Sequence, residues 1–419
     1  MPLGTLPENT RAKWRTYGLL SLFLFAYFFA QAMTISLLPL WLKGPLGLTG
    51  EQTGLVIGAN SLAALISQPI YGFVSDKIGM RKYVLWFLAL MVATSVLFFT
   101  QVYEPLLRTN LLIGAVVGGT YLGLTFYAGS FALESYVDRL GRHYGFEFSR
   151  VRLWGSLGFA CAAFFSGQLF NITPTINFAL ATGAGLLLLP IVALLRPATK
   201  AQDPATSKTI RLGDSLAVLK MPKFWGYMVL ILGVTDLYLV FDQQFPAYYA
   251  SQFADPAHGR AMFGYLNSAQ IFLEAAGMFV SPWIVARLGV KHSLLLASGI
   301  MIFRITGSGL ATGPVAISAM KMLHSFELPI LIVANFKYIS RHFSPALAST
   351  IYMVGVSFGH SLGLALLSPL AGRGYDQIGF PHTYLCIAAL ALIFWLGAWF
   401  ALAPDRNGLP ASNPNEVPA

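Results

Sequence analysis

Twelve runs of apolar residues, each close to the ~20 that cross a bilayer as a helix, follow one another with short connections. They cover about residues 17–42, 53–75, 83–102, 108–133, 151–171 and 174–195. After a polar interval come 225–250, 262–286, 293–311, 314–339, 346–371 and 381–403. Hydrocarbon offers the backbone no water, so each run is expected to satisfy its own N–H and C=O groups as a helix. Composition agrees: 56% of the 419 residues are hydrophobic and 11% charged, against roughly 25% charged in soluble domains. The expected fold is an all-α membrane protein with twelve transmembrane helices in two six-helix halves. Residues 1–195 form the first half, 196–223 a central loop, 224–404 the second half and 405–419 a disordered tail. The first run is too long for a signal peptide and lacks a small-residue cleavage site, so it is read as a retained helix.

A formal charge of +10 in a soluble protein points to nucleic acid. Here the basic residues sort by loop instead. Lys77, Arg81, Lys82, Arg139, Arg142, Arg150, Arg287, Lys291, Lys337, Arg341 and the central loop lie on the side of the N-terminus. The opposite loops carry few, such as Lys43, Arg108, Arg260 and Arg373. By the positive-inside rule both termini are expected in the cytoplasm, with lipid and not nucleic acid as the surroundings. Cys161 and Cys386 sit in apolar segments, which indicates neither a disulfide framework nor a metal site. No cofactor is implied.

The halves share a repeat. Gly72-Phe-Val-Ser-Asp76-Lys77-Ile-Gly79-Met-Arg81-Lys82 joins the second and third runs, and Pro282-Trp-Ile-Val-Ala-Arg287-Leu-Gly289-Val-Lys291-His292 joins the eighth and ninth. Six-helix repeats related by an axis along the membrane normal build the major facilitator superfamily, with substrate at the midplane between halves. The first copy resembles that superfamily's loop signature. Gly72, Asp76, Gly79, Arg81 and Lys82 are therefore read as a gating and structural loop, with glycine permitting a tight turn.

Few ionisable groups fall inside the runs, and each is expensive unless it faces a protein interior or a watery path. Lys321, His324 and Glu327 form a stripe at i, i+3 and i+6 in the tenth run. The others are Glu134, Arg152, Asp236, Asp242, Glu274, Arg304 and His360. A guanidinium and a carboxylate together can grip vicinal hydroxyls, which suits Arg152 and Glu134. Phe159, seven residues after Arg152, lies on the same helix face and can pack on a sugar ring. Asn267, Gln270 and Glu274 share one face of the eighth run and are candidates to line a cavity. A carboxylate in an apolar setting can hold a proton at neutral pH. Glu327 is the candidate carrier, with Arg304 helping to drive deprotonation. His324 can titrate or orient a ligand, and Asp242 and Lys321 are candidates for a structural pair.

Enzymatic readings find no support. Gly355-Val-Ser357-Phe-Gly359 matches a hydrolase pattern that requires a strand-to-helix turn, but it lies in an apolar helix. Walker, Rossmann and zinc-protease patterns have no suitable context. A sugar sensor built on a transporter fold would need a signalling domain, which the short tails and central loop do not offer.

At these residues the chain resembles the oligosaccharide:proton symporters of the lactose and sucrose permease type. The matching segments are Trp41-Leu-Lys43, Tyr103-Glu-Pro-Leu-Leu107, Phe146-Glu-Phe148 with Arg150 and Arg152, Phe241-Asp242-Gln-Gln-Phe245, Phe263-Gly-Tyr265, Arg304 and Lys321-x-x-His324-x-x-Glu327. The resemblance implies import of a disaccharide with a proton by alternating access, as a monomer in a bacterial inner membrane. It gives Glu134 and Arg152 the sugar-gripping role. Arg304, His324, Tyr238 and Glu327 take proton coupling, and Asp242 with Lys321 the charge pair. Lactose-type members carry a tryptophan where Phe159 stands and a glutamate where Ile271 stands. Their Asp–Lys pair between the seventh and eleventh helices is replaced by Leu239 and His360, so that pair is expected to be absent and His360 is expected at the substrate. The runs Gly264–Ala275 and Trp41–Gly50 resemble sucrose-type members and favour sucrose, whereas Glu134 is the lactose-type acid and keeps galactosides open.

Overall fold

The computed structural model describes residues 8–78, 81–195, 220–343, 351 and 357–405. Among the described residues, twelve helical units follow in chain order: α1 (8–43), α2 (Gly50–Ile78), α3 (83–109), α4 (Leu111–Tyr144), α5 (Phe148–Ile172) and α6 (Pro174–Leu194). The second set is α7 (222–250), α8 (Pro256–Leu288), α9 (Val290–Leu310), α10 (Pro314–His342), α11 (Phe358–Gln377) and α12 (Gly379–Ala401). Ten are long and apolar enough to cross a membrane, and the two parts of α3, bent by 50°, make an eleventh. The remaining unit is α11, whose expected first residues lie outside the described ones. Gly79, the side chain of Asp76, most of the central loop and the tail beyond Asp405 also lie outside them.

The turns follow from local chemistry. Asn110 and Asp255 accept backbone N–H bonds at the starts of α4 and α8, which satisfies donors that a helix start leaves orphaned. Gly289, φ +80°, reverses the chain between α8 and α9, as a residue without Cβ can. Gly72, by contrast, is helical within α2 and has no neighbour within 4 Å of where a Cβ would stand. The tight-turn role expected there is not seen. Lys82 instead reaches the end of α6, with Nζ 2.8 Å from Val192 O and 2.7 Å from Leu195 O. Lys291 does the same in the second half, 2.8 Å from Leu402 O. A cation on the last carbonyls of a helix satisfies its orphan acceptors and favours its dipole.

Three boundaries differ from expectation. α4 continues to Tyr144, so Glu134 lies well inside it; its last turns are amphipathic and escape an apolarity count. α7 begins at Pro222, inside the expected central loop. Asp405, expected in the tail, accepts the Lys291 N–H at 3.4 Å.

At the end away from the N-terminus, the two halves touch backbone to backbone. A Cβ on Gly50 would stand 2.6 Å from Gly372 O, and one on Gly264 2.7 Å from Ala163 O. Small residues let helices approach this closely. Polar contacts add to the closure. Asp376 accepts from the N–H groups of Gly50 and Glu51 at 2.8 and 2.9 Å. Gln244 donates to Gly50 O and accepts from Lys43 Nζ. Asn171 and Arg260 join α5 to α8.

Candidate substrate and proton site

A cavity of about 390 Å³ lies between the halves beneath this closed end. Its first-half wall comes from α1, α2, α4 and α5, including Ser36, Pro39, Tyr127 and Phe159. Its second-half wall comes from α7, α8 and α10, including Gln243, Asn267, Gln270, Glu274, Lys321 and His324. The size is within the ~300–1,000 Å³ range of small-molecule sites, and the mixture of apolar faces with a few polar groups is typical of them. The amphipathic spacing in α8 places Asn267, Gln270 and Glu274 together on this wall, with Ile271 beside them.

Arg152 and Glu134 pair across α5 and α4: Arg152 Nε donates to Glu134 Oε1, and Nη1 donates to Ser156 Oγ at 3.1 Å. The guanidinium stacks 4.3 Å from the centre of the Phe28 ring, a flat cationic surface on an aromatic face. The side chains keep about a third and a quarter of their surface exposed, so the fork is reachable by a ligand. Arg152 is near enough to Glu274 for their charges to interact, so the pair flanks the cavity although it does not form its wall.

Behind the cavity lies a buried charge cluster. Asp242 Oδ1 accepts from Arg304 Nη1 at 3.0 Å and from Lys321 Nζ at 3.3 Å. Arg304 Nε lies 2.9 Å from Glu327 Oε1, but its N–H does not point at that oxygen, so the contact is ionic without being a hydrogen bond. His324 Nδ1 meets Glu327 Oε1 at 3.1 Å, and Tyr238 Oη meets the same imidazole at 2.8 Å. The rings of Tyr238 and Phe241 each stand 4.9 Å from the Arg304 guanidinium. The expected charge pair and proton group are thus one network, joined through Asp242 and Arg304. Lys321, His324 and Asp242 belong both to this network and to the cavity wall.

His360 is placed elsewhere. It is not part of that cavity wall; its Nδ1 bonds Asp236 Oδ1 between α11 and α7. The Asp–Lys pair stays absent at Leu239 and His360, but a different α7–α11 contact is present, from His360 to Asp236 one turn before Leu239. A π-helical segment, Ile231–Thr235, immediately precedes Asp236. Asp236 is fully buried with Oδ2 unpartnered. Sequence reasoning also passed over Phe28, Ser36 and Gln243. None carries a charge, and a charge in an apolar run was the signal being followed.

A family model described as the LacY proton/sugar symporter matches residues 9–411. Raffinose permease of Escherichia coli is 38% identical over 394 residues, 92% of each chain. Sucrose permease of Escherichia coli is 34% identical over 399 residues, 95% of this chain and 96% of the relative. Among solved structures, the nucleoside transporter NupG superposes with a TM-score of 0.80 at 15% identity, covering 92% of this chain and 98% of NupG, a likeness of fold alone. Its architecture is that of the major facilitator superfamily, and its relatives are permeases rather than enzymes. The chain belongs to the LacY proton/sugar symporter family.

Proposed function

We propose that the protein imports an oligosaccharide together with a proton, with sucrose as the first candidate substrate. The observation that carries this reading is the double membership of Asp242 and His324, which line the cavity on one side and reach Arg304 and Glu327 on the other, with Lys321 of the same wall joined through Asp242. A ligand that moves these side chains changes the surroundings of the buried carboxylate, and protonation of that carboxylate changes the cavity wall. Such reciprocity is what linkage between two ligands requires.

In this reading Arg152 and Glu134 grip vicinal hydroxyls, the first by donating and the second by accepting hydrogen bonds. Phe159 packs on the apolar face of the ring. Glu327 carries the proton while sugar is bound and loses it toward the side of the termini, taken as cytoplasmic from the loop charges. Arg304 then offsets the carboxylate charge. The structure is closed at the other end, and the ionic Arg304–Glu327 contact suits the state from which the proton has left. The two halves, 1–195 and 224–404, rock about the site as units, in a bacterial inner membrane and as a monomer.

A galactoside is the second reading. It is favoured by Glu134 and by relatives named as raffinose, lactose and melibiose permeases at 37–38% identity. One experiment separates the two. Sucrose, raffinose, melibiose, lactose or maltose is added separately to a lightly buffered suspension of de-energised cells expressing the protein, and external pH is followed. Alkalinisation with a sugar identifies a substrate and proton symport together. No change with any of them, with protein present in the membrane, refutes the reading for these sugars.

A further inference from the structure

Three polar atoms of the cavity residues are buried without a hydrogen-bond partner: Ser36 Oγ, Gln243 Nε2 and Gln270 Oε1. Buried orphans of this kind are uncommon and call for a reason. Two of them arise from breaks in matching helices. α1 is interrupted at residues 36–37 and α7 at Gln244, the first helix of each half. Gln244 is already engaged, with Gly50 and Lys43; its neighbour Gln243 is left for the cavity.

The breaks also fix where along the cavity these groups lie. Ser36 and Gln243 adjoin the closed end, next to Pro39 and Pro246. Glu274 marks the other end, near Arg152. From Glu274 to Phe263, both in the wall, α8 runs eleven residues, about 16 Å at 1.5 Å per residue. One sugar ring held at Arg152, Glu134 and Phe159 is narrower than two helical turns, ~11 Å, and leaves the closed end of this wall uncovered.

Resting on the sugar-transport reading, we infer that Ser36 and Gln243 form a second subsite. It binds hydroxyls of the ring farthest from Arg152 and so selects oligosaccharides over monosaccharides. The chemistry is complementary. The Gln243 amide donates and the Ser36 hydroxyl donates or accepts, which together match a pair of sugar hydroxyls. Leu38, Pro39 and Pro246 supply the apolar surface on which a ring face packs. A saccharide too short to reach these groups leaves them unpaired, and a site with unpaired buried polar groups discriminates strongly against the ligand that fails to meet them.

The test is isothermal titration of purified protein with methyl α-glucoside, methyl α-galactoside, sucrose and raffinose, for wild type, Ser36→Ala, Gln243→Leu and the double variant. Wild type is expected to prefer the oligosaccharides over the methyl glycosides, and the double variant to lose about tenfold of that preference or more. A preference unchanged within about twofold, or an equal weakening for every ligand, overturns the subsite. If Gln243→Leu does not fold, Ser36→Ala alone must lower the preference, and an unchanged ratio there overturns it equally. Failure of wild type to bind any of the four overturns the sugar-transport reading itself, and the subsite with it. Arg152→Lys separates the two sites: it weakens all four ligands together, whereas the subsite variants change their ratio.

Discussion

Arg304 Nε lies 2.9 Å from Glu327 Oε1, and neither side chain has exposed surface. Two cations and two carboxylates, Arg304, Lys321, Asp242 and Glu327, meet in this cluster. Their charges sum to zero with Glu327 ionised and to +1 with Glu327 protonated. An uncompensated charge at this depth is costly, so adding the proton requires the cluster to rearrange. His324 is bonded to Glu327 and present in the cavity wall, and in the proposed reading it is the route by which sugar influences that rearrangement. The glutamate's other oxygen, Oε2, is buried without a partner, and in the proposed reading it is the atom that takes the proton.

The Asp236–His360 bond predicts compensation. His360→Leu leaves the fully buried Asp236 carboxyl without its hydrogen-bond partner, at a cost of about 1–3 kcal/mol, and should lower the thermal transition of the purified protein. Adding Asp236→Leu removes the buried polar group and should recover most of that loss. Thermal unfolding of both single variants and the double variant checks this; strictly additive losses would contradict it.

Sugar affinity should depend on the shape of the Arg152 guanidinium as well as its charge. Arg152→Lys keeps the charge and loses the fork and the face stacked on Phe28. Hydrogen bonds to charged groups are worth about 1.5–3 kcal/mol, so the dissociation constant should rise by about 10–100-fold. Titration with the transported sugar gives the number.

The closed end depends on glycine. A Cβ at Gly54 would run into the Ser368 carbonyl of α11, and backbone cannot step aside as a flexible side chain can. Gly54→Leu should separate α2 from α11 at that end. Spin labels at Gln52 and Arg373 should move apart by several ångströms relative to the parent, as double electron–electron resonance measures.

Specificity should be transferable at two positions on the cavity wall. Phe159 and Ile271 both line it, and lactose-type relatives are expected to carry tryptophan and glutamate there. Phe159→Trp with Ile271→Glu should therefore gain lactose uptake over the parent, measured with radiolabelled sugar.

Much of this was legible in the chain because the bilayer leaves so few options. Apolar runs longer than a soluble helix needs, interrupted by basic loops, specify twelve helices. Each charge inside a run must find a partner, which is why Glu134 and Arg152 were paired correctly before any geometry was known. Partners were harder to assign. Asp242 was given to Lys321, but it also takes Arg304, since one carboxylate oxygen accepts from two cations. Asp236 was legible as a charge inside the seventh run, but its partner His360 stands 124 residues away in sequence and was assigned to the substrate instead. Ser36 and Gln243 were invisible because their importance comes from two helix breaks and the space between halves, neither of which is a local property of sequence.

The central claim is that Glu327 carries the coupled proton, and its most direct test is Glu327→Gln in proteoliposomes. The amide keeps the shape of a protonated carboxyl and cannot release a proton. Exchange of labelled against unlabelled sugar, with no gradient, should proceed at a rate close to wild type. Accumulation driven by an imposed proton gradient should be abolished. Gradient-driven accumulation by the variant at the wild-type level would contradict the account.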